Sequence, residues 1–152
     1  MKTDQRASMA TISELKPHDG TVEVASQIAR LMTELAGAAR SISEDELRAV
    51  VASNHLFAAT DSGEVVGLVC LVPMRLPQGV RLWIESVIVD PSCRGAGLGR
   101  ALMEAALAKA SSYGEVPVSL TSNPTRAVAH RLFEQLGFSR AETSVFRRSA
   151  QG

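Results

Sequence analysis

A glycine-rich segment between two arginines, residues 94–100, is the part of the sequence whose residue types and spacing best suit chemistry. It reads Arg-Gly-Ala-Gly-Leu-Gly-Arg, and a helical apolar pattern starts at Gly97 or Leu98. The first N–H groups of a helix have no acceptor within the helix, and the helix dipole adds partial positive charge there. Glycine also lets a ligand approach the backbone closely. The segment therefore predicts an anion site, and phosphate is the anion that suits it best.

Two common phosphate-binding patterns do not match this segment. The Walker pattern requires Gly-Lys-Ser or Gly-Lys-Thr, which the sequence lacks. The dinucleotide pattern, started at Gly95, requires a glycine where this chain has Arg100. The pattern that is present is Arg-x-x-Gly-x-Gly, formed by Arg94, Gly97 and Gly99.

A strand and a helix must position this segment. Residues 81–89 alternate with period two and are rich in β-branched side chains, which predicts a strand that Asp90-Pro91 ends. The apolar residues from 98 to 110 follow helical spacing, and residues 116–121 then form a strand parallel to the first in a β-α-β unit. The alternation predicts two faces, with Leu82, Ile84, Ser86 and Ile88 on one and Trp83, Glu85, Val87 and Val89 on the other.

The remaining elements follow from periodicity and turn residues. A capping box formed by Ser43 and Glu46 predicts a helix start, and Asp61-Ser62-Gly63 predicts a tight hairpin. The full prediction is an α/β (α+β) domain with a mixed sheet of six or seven strands and about four helices. Its strands are 11–15, 55–60, 64–74, 81–89, 116–121, one from Phe138 and 144–148, and its helices start at Val22, Ser43, Gly97 and Asn123.

Composition limits the class of protein. The 152 residues suit one domain, predicted over residues 9–152 after a flexible leader at 1–8. Sixteen basic and sixteen acidic residues balance, so no bulk charge favours nucleic acid or a membrane surface. Cys70 and Cys93 form no paired motif, which indicates a reducing cytoplasm, and three scattered histidines indicate no metal site.

Two motifs resemble one known family. V-x-V-D-P-x-x-R-G-x-G-L-G-R, at residues 87–100, resembles the acetyl-CoA motif of the GCN5-related N-acetyltransferases (GNAT). Asn123-Pro124 followed by A-V-A-H-R-L-F-E-Q-L-G-F is similar to the closing helix of that family, and the resemblance covers nearly the whole chain. It implies a GNAT-like fold and direct transfer of an acetyl group from acetyl-CoA to an amine. The alternative is a turn that merely joins strand to helix.

The resemblance also implies which residues hold the cofactor. The N–H groups of Gly95, Ala96, Gly97, Leu98, Gly99 and Arg100 would bind the pyrophosphate, and Arg94 and Arg100 would add charge. For the Arg100 side chain, an i,i+4 pair with Glu104 is the alternative. The backbone of Val87, Ile88 and Val89 would pair with the pantetheine arm, and an N–H near Val87 or Ile88 would hold the oxyanion. Asn123 is first a helix cap and second a cofactor contact.

Glu85 is the candidate base. It is the only acidic residue in its strand, and many family members carry glutamate at the matching position. A carboxylate beside the thioester can attract an ammonium and accept its proton. The alternative is an ordinary strand glutamate paired with Arg81 or another cation. Phe133 departs from the family pattern, because it stands where a tyrosine commonly protonates the thiolate.

Three functions remain open at this point. The first is acetylation of a small-molecule primary amine, and the second is acetylation of a protein lysine or N-terminus. The third is a non-catalytic acyl-CoA-binding module, which Phe133 keeps in consideration. The residues expected to line the acceptor pocket are 21–53, 75–80 and 138–148. A homodimer is expected only because many relatives form one.

Overall fold

The computed structural model describes residues 10–150, so the predicted leader at 1–8 lies outside the described residues. Within that range one mixed sheet has the strand order β1-β2-β3-β4-β5, antiparallel except for the β4–β5 pair. No helix there is long and apolar enough to cross a membrane. The strands are β1 (Thr11–Glu14), β2 (His55–Asp61), β3 (Glu64–Leu76), β4 (Gly79–Val89) and β5 (Val118–Leu120), and the α-helices are α1 (Val22–Ala36), α2 (Glu44–Ser53), α3 (Leu98–Ala110) and α4 (Ala127–Gln135).

Local sequence signals account for most element boundaries. Ser43 and Glu46 form the predicted capping box, in which the Ser43 N–H donates to Glu46 Oε2 at 2.7 Å. α1 ends at Gly37, whose φ of 67° is a left-handed conformation that glycine adopts without strain. Ser62 and Gly63 both have positive φ, as a two-residue hairpin turn requires. The predicted hairpin at residues 61–63 and the predicted helix start at Ser43 are therefore confirmed.

Helices cover both faces of the sheet in the first compact unit, residues 10–121. On one face the buried side chains of α1 and α2 pack against Leu68, Cys70 and Ile88. On the other face α3 crosses close to β3, since a Cβ added at Gly67 would lie 2.9 Å from Leu102 Cδ1. β4 is thus held between α1 and α2 on one side and α3 on the other.

The second unit, residues 122–150, has its own helix. Phe133 of α4 is 7% exposed and meets Phe138 edge-on, with ring centroids 6.1 Å apart. The predicted helix start at Asn123 is wrong. The Oδ1 atom of Asn123 accepts hydrogen bonds from Thr125 N–H and Oγ1, and this local turn displaces the helix start to Ala127.

The predicted strand count of six or seven is also corrected, since the described residues contain five strands. The missing two are those expected from Phe138 and at 144–148, where no ladder forms. Val145 and Phe146 are 71% and 94% exposed. A β-branched or aromatic residue stabilises a strand by packing on a neighbouring strand, and these two side chains have no such contact. The predicted mixed α+β class with four helices holds.

Candidate active site

A β-bulge interrupts β4 at Ser86. The register pairs Cys70 with Glu85 and Leu68 with Ile88, so Ser86 and Val87 together stand opposite the single residue Val69. Ser86 has a φ of 58°, a left-handed value that is uncommon for residues other than glycine. An extra residue of this kind bends the strand and reverses its side-chain alternation. The strand therefore bends at Ser86, between Glu85, the predicted base, and residues 87–89, the predicted cofactor-binding backbone.

The bulge overturns the predicted faces of β4. Directly opposed residues in an antiparallel pair share a face, and Leu68 and Cys70 lie two residues apart in β3. Glu85 and Ile88 therefore share one face, the face covered by α1 and α2. Val89 pairs with Gly67 and lies on the α3 face, and Val87 follows Val89. The prediction that Glu85 and Val87 share a face is wrong, because strict period two assumed an unbroken strand.

The edge of β4 that faces away from β3 is open beyond Ile84. β5 pairs with β4 only from Leu82 to Ile84, and in the described chain no other strand continues that ladder. The Asp90 N–H donates to the Val66 carbonyl at 2.8 Å, and antiparallel pairs alternate, so the backbone of Ile88 faces β3. The N–H groups of Val87 and Val89 then point to the open edge. Of the two predicted oxyanion donors, Val87 has the suitable direction.

The glycine-rich segment follows β4 after Asp90 and the short turn at Pro91–Cys93, and its residues 94–97 are exposed. Gly95 and Gly97 have φ values of 84° and 81°. α3 starts at Leu98, and its N-cap residue, Gly97, provides no side-chain hydrogen bond to the helix N-terminus. The first hydrogen bond of the helix runs from the Ala101 N–H to the Gly97 carbonyl at 3.0 Å. Among residues 10–150, no acceptor meets the N–H groups of residues 95–99. This row of donors suits a pyrophosphate.

The two arginines of the motif differ in their contacts. Arg94 is exposed, and its Nε donates to the Val89 carbonyl at 3.3 Å. The Nη1 atom of Arg100 lies 3.5 Å from Glu104 Oε1, which is the i,i+4 pair that the sequence offers as the alternative role. The backbone N–H of Arg100 belongs to the first turn of α3.

Glu85 is exposed at the bulge and forms no ion pair within the described chain. The alternative pairing with Arg81 is therefore not present. Opposite Glu85, burial and then the Glu85 charge raise the pKa of the Cys70 thiol to about 11. Both groups lie on the α1 and α2 face, where Glu85 offers a carboxylate without a competing cation.

A groove of about 620 Å³ opens between α1 and α2. Three of its residues, Met32, Ile42 and Val50, also pack against the core cluster that contains Cys70. The groove therefore lies on the same face of the sheet as Glu85. Its full lining is Ala29, Met32, Leu35, Ala36, Arg40, Ser41, Ile42, Glu46, Ala49 and Val50.

Sequence reasoning missed the network at the end of β4. Asp90 is 9% exposed, and its Oδ2 accepts a 2.5 Å hydrogen bond from Arg30 Nη1 of α1. Its Oδ1 accepts from the Ser92 N–H and Oγ at 2.9 and 2.7 Å. The Arg30 hydrogen bond, with those from Ser92, lowers the pKa of Asp90 to about 2. Arg30 stands 60 residues before Asp90, so no local pattern could pair them.

A strand with an open edge, followed by a glycine-rich turn and a helix, defines the class of protein. The model of the family described as "Acetyltransferase (GNAT) family" matches residues 25–138, and the chain belongs to this family. The family and the fold class that the two sequence motifs indicated are thereby confirmed.

Several known proteins are similar to this chain. Mycothiol acetyltransferase of Amycolatopsis mediterranei is 36% identical over 107 residues, which are 66% of this chain and 35% of that protein. The uncharacterized N-acetyltransferase YhdJ of Bacillus subtilis is 32% identical over 98 residues, 63% of this chain and 68% of that protein. The chain thus spans about a third of the length of the first of these relatives.

Solved structures share the fold. An acetyltransferase of Trypanosoma brucei superposes with a TM-score of 0.74 at 27% identity, covering 93% of this chain and 99% of that one. An aminoglycoside acetyltransferase from an uncultured soil metagenomic sample reaches a TM-score of 0.81 at 15% identity, covering 95% and 98%. At that identity the second likeness concerns the fold alone.

Proposed function

We propose that this protein transfers an acetyl group from acetyl-CoA to a primary amine of a small molecule. One observation carries the proposal: the open edge of β4 at residues 87–89 is followed, after residues 90–94, by the N–H groups of residues 95–99, which have no acceptor among the described residues. A long ligand with an amide-rich arm and a pyrophosphate requires these two features in this order. Acetyl-CoA has that chemistry and supplies an activated thioester when bound.

Each part of the site holds one part of the cofactor in this proposal. The N–H groups of residues 95–100 bind the pyrophosphate, and Arg94 adds positive charge at the exposed side of the turn. The backbone of Val87 and Val89 hydrogen-bonds the amide arm along the open edge, as an added strand would. The backbone of Ile88 faces β3 and does not bind the arm, so Ile88 contributes through the packing of its buried side chain. Asn123 lies in the second unit and stays a candidate contact.

The Val87 N–H is the proposed oxyanion donor. It belongs to the bulge and points to the open edge, where the thioester carbonyl would lie. A backbone donor fixed before the reaction stabilises developing negative charge without reorganisation. The bulge at Ser86 serves this role because it separates the Val87 N–H from the regular ladder.

Glu85 is the proposed base. An alkyl amine has a pKa of about 10, so at neutral pH it arrives mostly as an ammonium ion. The exposed Glu85 carboxylate, unpaired in the described chain, attracts that ion and accepts its proton directly or through water. The bulge places Glu85 on the face of α1 and α2, so we expect the amine to approach from that side.

Phe133 cannot donate a proton to the leaving thiolate. A thiol has a pKa of about 8.5, so its thiolate leaves without strong acid assistance. We propose that water or the ammonium proton held by Glu85 completes this step. Activity in spite of Phe133 would exclude the non-catalytic module.

The groove between α1 and α2 is the proposed site for the body of the acceptor. Its mainly apolar lining suits an aliphatic or ring portion, and Arg40 and Glu46 offer charges of both signs. The similarity to mycothiol acetyltransferases supports a small-molecule acceptor rather than a protein. Two unpaired, buried cysteines support a reducing cytoplasm as the working compartment. The proposed homodimer rests on the family alone.

The experiment is release of free CoA thiol from acetyl-CoA in the presence of single amines. The panel includes polyamines, aminoglycosides, amino sugars, amino acids and short lysine peptides. Release that depends on a small amine supports the proposal and identifies the acceptor class. Release with lysine peptides alone would favour a protein acetyltransferase. CoA binding with no release on any amine would favour the binding module.

A further inference from the structure

Arg30 of α1 contacts Asp90, the residue that follows β4 and precedes the short turn leading to the glycine-rich segment. Its Nη1 donates to Asp90 Oδ2 at 2.5 Å, and its Nη2 donates to the Val65 carbonyl at 3.4 Å. The Asp90 side chain is 13% exposed, so its charge is largely shielded from water and depends on Arg30 for compensation. The contact therefore joins α1 to the start of the proposed cofactor turn.

Every polar group of Asp90 is engaged. Its N–H donates to the Val66 carbonyl at 2.8 Å, and its carbonyl accepts from the Cys93 N–H at 2.9 Å. Its Oδ1 holds both the N–H and the hydroxyl of Ser92. These bonds fix the single turn of 3-10 helix at Pro91–Cys93 between β4 and the glycines. Of these bonds, only the one to Oδ2 comes from an α-helix, and its donor is Arg30 of α1.

The segment after that turn has few restraints of its own. A Cβ added at Gly95 or Gly97 would meet nothing within 4 Å among the described atoms. Among the described residues, the one side-chain hydrogen bond of residues 94–97 is that from Arg94 Nε to the Val89 carbonyl at 3.3 Å. Because residues 94–97 have so few contacts, their orientation depends on the preceding turn at Pro91–Cys93, which is hydrogen-bonded to Asp90.

We propose that Arg30 is a positioning residue for the anion-binding turn. Through Asp90 it holds the Ser92 turn in the orientation that lets the N–H groups of residues 95–99 converge on a pyrophosphate. α1 is fixed at the same place by a second bond, from the Val65 N–H to Gln27 Oε1 at 2.8 Å. α1, which lines the proposed acceptor groove, is thus held by hydrogen bonds next to the start of the proposed cofactor-binding turn. The inference rests on the proposed function.

The test measures binding of free CoA to the whole chain by titration calorimetry. The variants are Arg30→Gln, which removes the charge, and Arg30→Lys, which keeps it. Arg48→Gln is the matched control, because Arg48 is 46% exposed, as Arg30 is 48%, and among the described residues its ion pairs are with Glu44 and Asp45 of its own helix. We expect Arg30→Gln to raise the Kd for CoA about tenfold, the effect of one charge-assisted hydrogen bond.

Rescue and kinetics separate positioning from general stability. We expect Arg30→Lys to recover more than half of the lost affinity and Arg48→Gln to stay within about twofold of the wild type. For a responsive amine, the KM for acetyl-CoA should rise with the Kd, while kcat at saturating acetyl-CoA should stay within about twofold.

Three results would overturn the inference. One is a folded Arg30→Gln variant that binds CoA as the wild type does. Another is a loss in Arg48→Gln equal to that in Arg30→Gln. The third decides the matter if Arg30→Gln does not fold: it is a folded Arg30→Lys variant that binds CoA no better than Gly97→Val, in which a β-branched residue at a φ of 81° distorts the proposed anion-binding turn. A wild-type chain that binds no CoA would instead contradict the proposed function itself, before any variant is compared.

Discussion

Glu85 stands directly opposite Cys70 on the neighbouring antiparallel strand, on the sheet face that α1 and α2 cover. Three residues later, Ile88 lies on the same face, because Ser86 adds one residue to the strand between them. The candidate base and the backbone of the proposed cofactor site thus meet at a bulge.

Ser86 is the residue whose backbone conformation most directly affects the site. Ser86→Gly should keep the free energy of unfolding within about 0.5 kcal/mol of the wild type, because glycine accepts the φ of 58° without strain. Ser86→Val should lower it by about 1–2 kcal/mol, because a β-branched residue is strained there. Urea denaturation followed by circular dichroism measures both. Equal stability of the two variants would show that the bulge is absent in solution.

The Cys70 thiol should react slowly in the native chain. Burial and the Glu85 charge raise its pKa to about 11, so at pH 8.5 only a very small fraction is thiolate. In a Cys93→Ala background, we expect alkylation by iodoacetamide to be at least about 100-fold slower in the native chain than in urea. Glu85→Gln removes a negative charge and should shift the pH dependence of the native rate to lower pH. An unshifted profile would mean that the two side chains do not face each other.

Asp90 should contribute to stability in acid. Its pKa is lowered from an ordinary value of about 4 to about 2, so the folded chain binds its proton less readily than the unfolded chain. That contribution is fully present above about pH 4 and is lost as the pH falls from about 4 to about 2. Asp90→Asn should remove this part of the pH dependence and lower the free energy of unfolding at pH 7 by about 1–3 kcal/mol.

Urea denaturation at a series of pH values between 2 and 7 measures this effect. Asp45→Asn is the control, because the Asp45 side chain is 94% exposed and should leave the profile almost unchanged. If the Asp90→Asn profile keeps the slope of the wild type between about pH 4 and pH 2, Asp90 is not the group responsible.

Much of the fold was predictable because its signals are local. The capping box at Ser43, the hairpin turn at Ser62 and the glycine-rich turn at Gly97 each depend on residues within a few positions of one another. The candidate loop and the candidate base could be named for the same reason. The face of the sheet on which they lie could not be predicted from local sequence pattern.

The features that escaped prediction depend on distant partners. A serine with positive φ has no sequence signature, so the bulge at Ser86 appears only through the register with β3. Arg30 meets Asp90 across 60 residues. Residues 144–148 have the composition of a strand but no ladder partner among the described residues, and propensity alone does not make a strand.

The pH dependence of kcat/KM, with the best amine of the panel, tests the central claim most directly. Glu85→Gln should lower kcat/KM at pH 7 by about 10²–10⁴-fold and should make activity rise with pH, as the amine loses its own proton. The control Glu64→Gln, at the exposed start of β3, should match the wild type. A Glu85→Gln variant with the rate and the pH profile of the wild type would contradict the account.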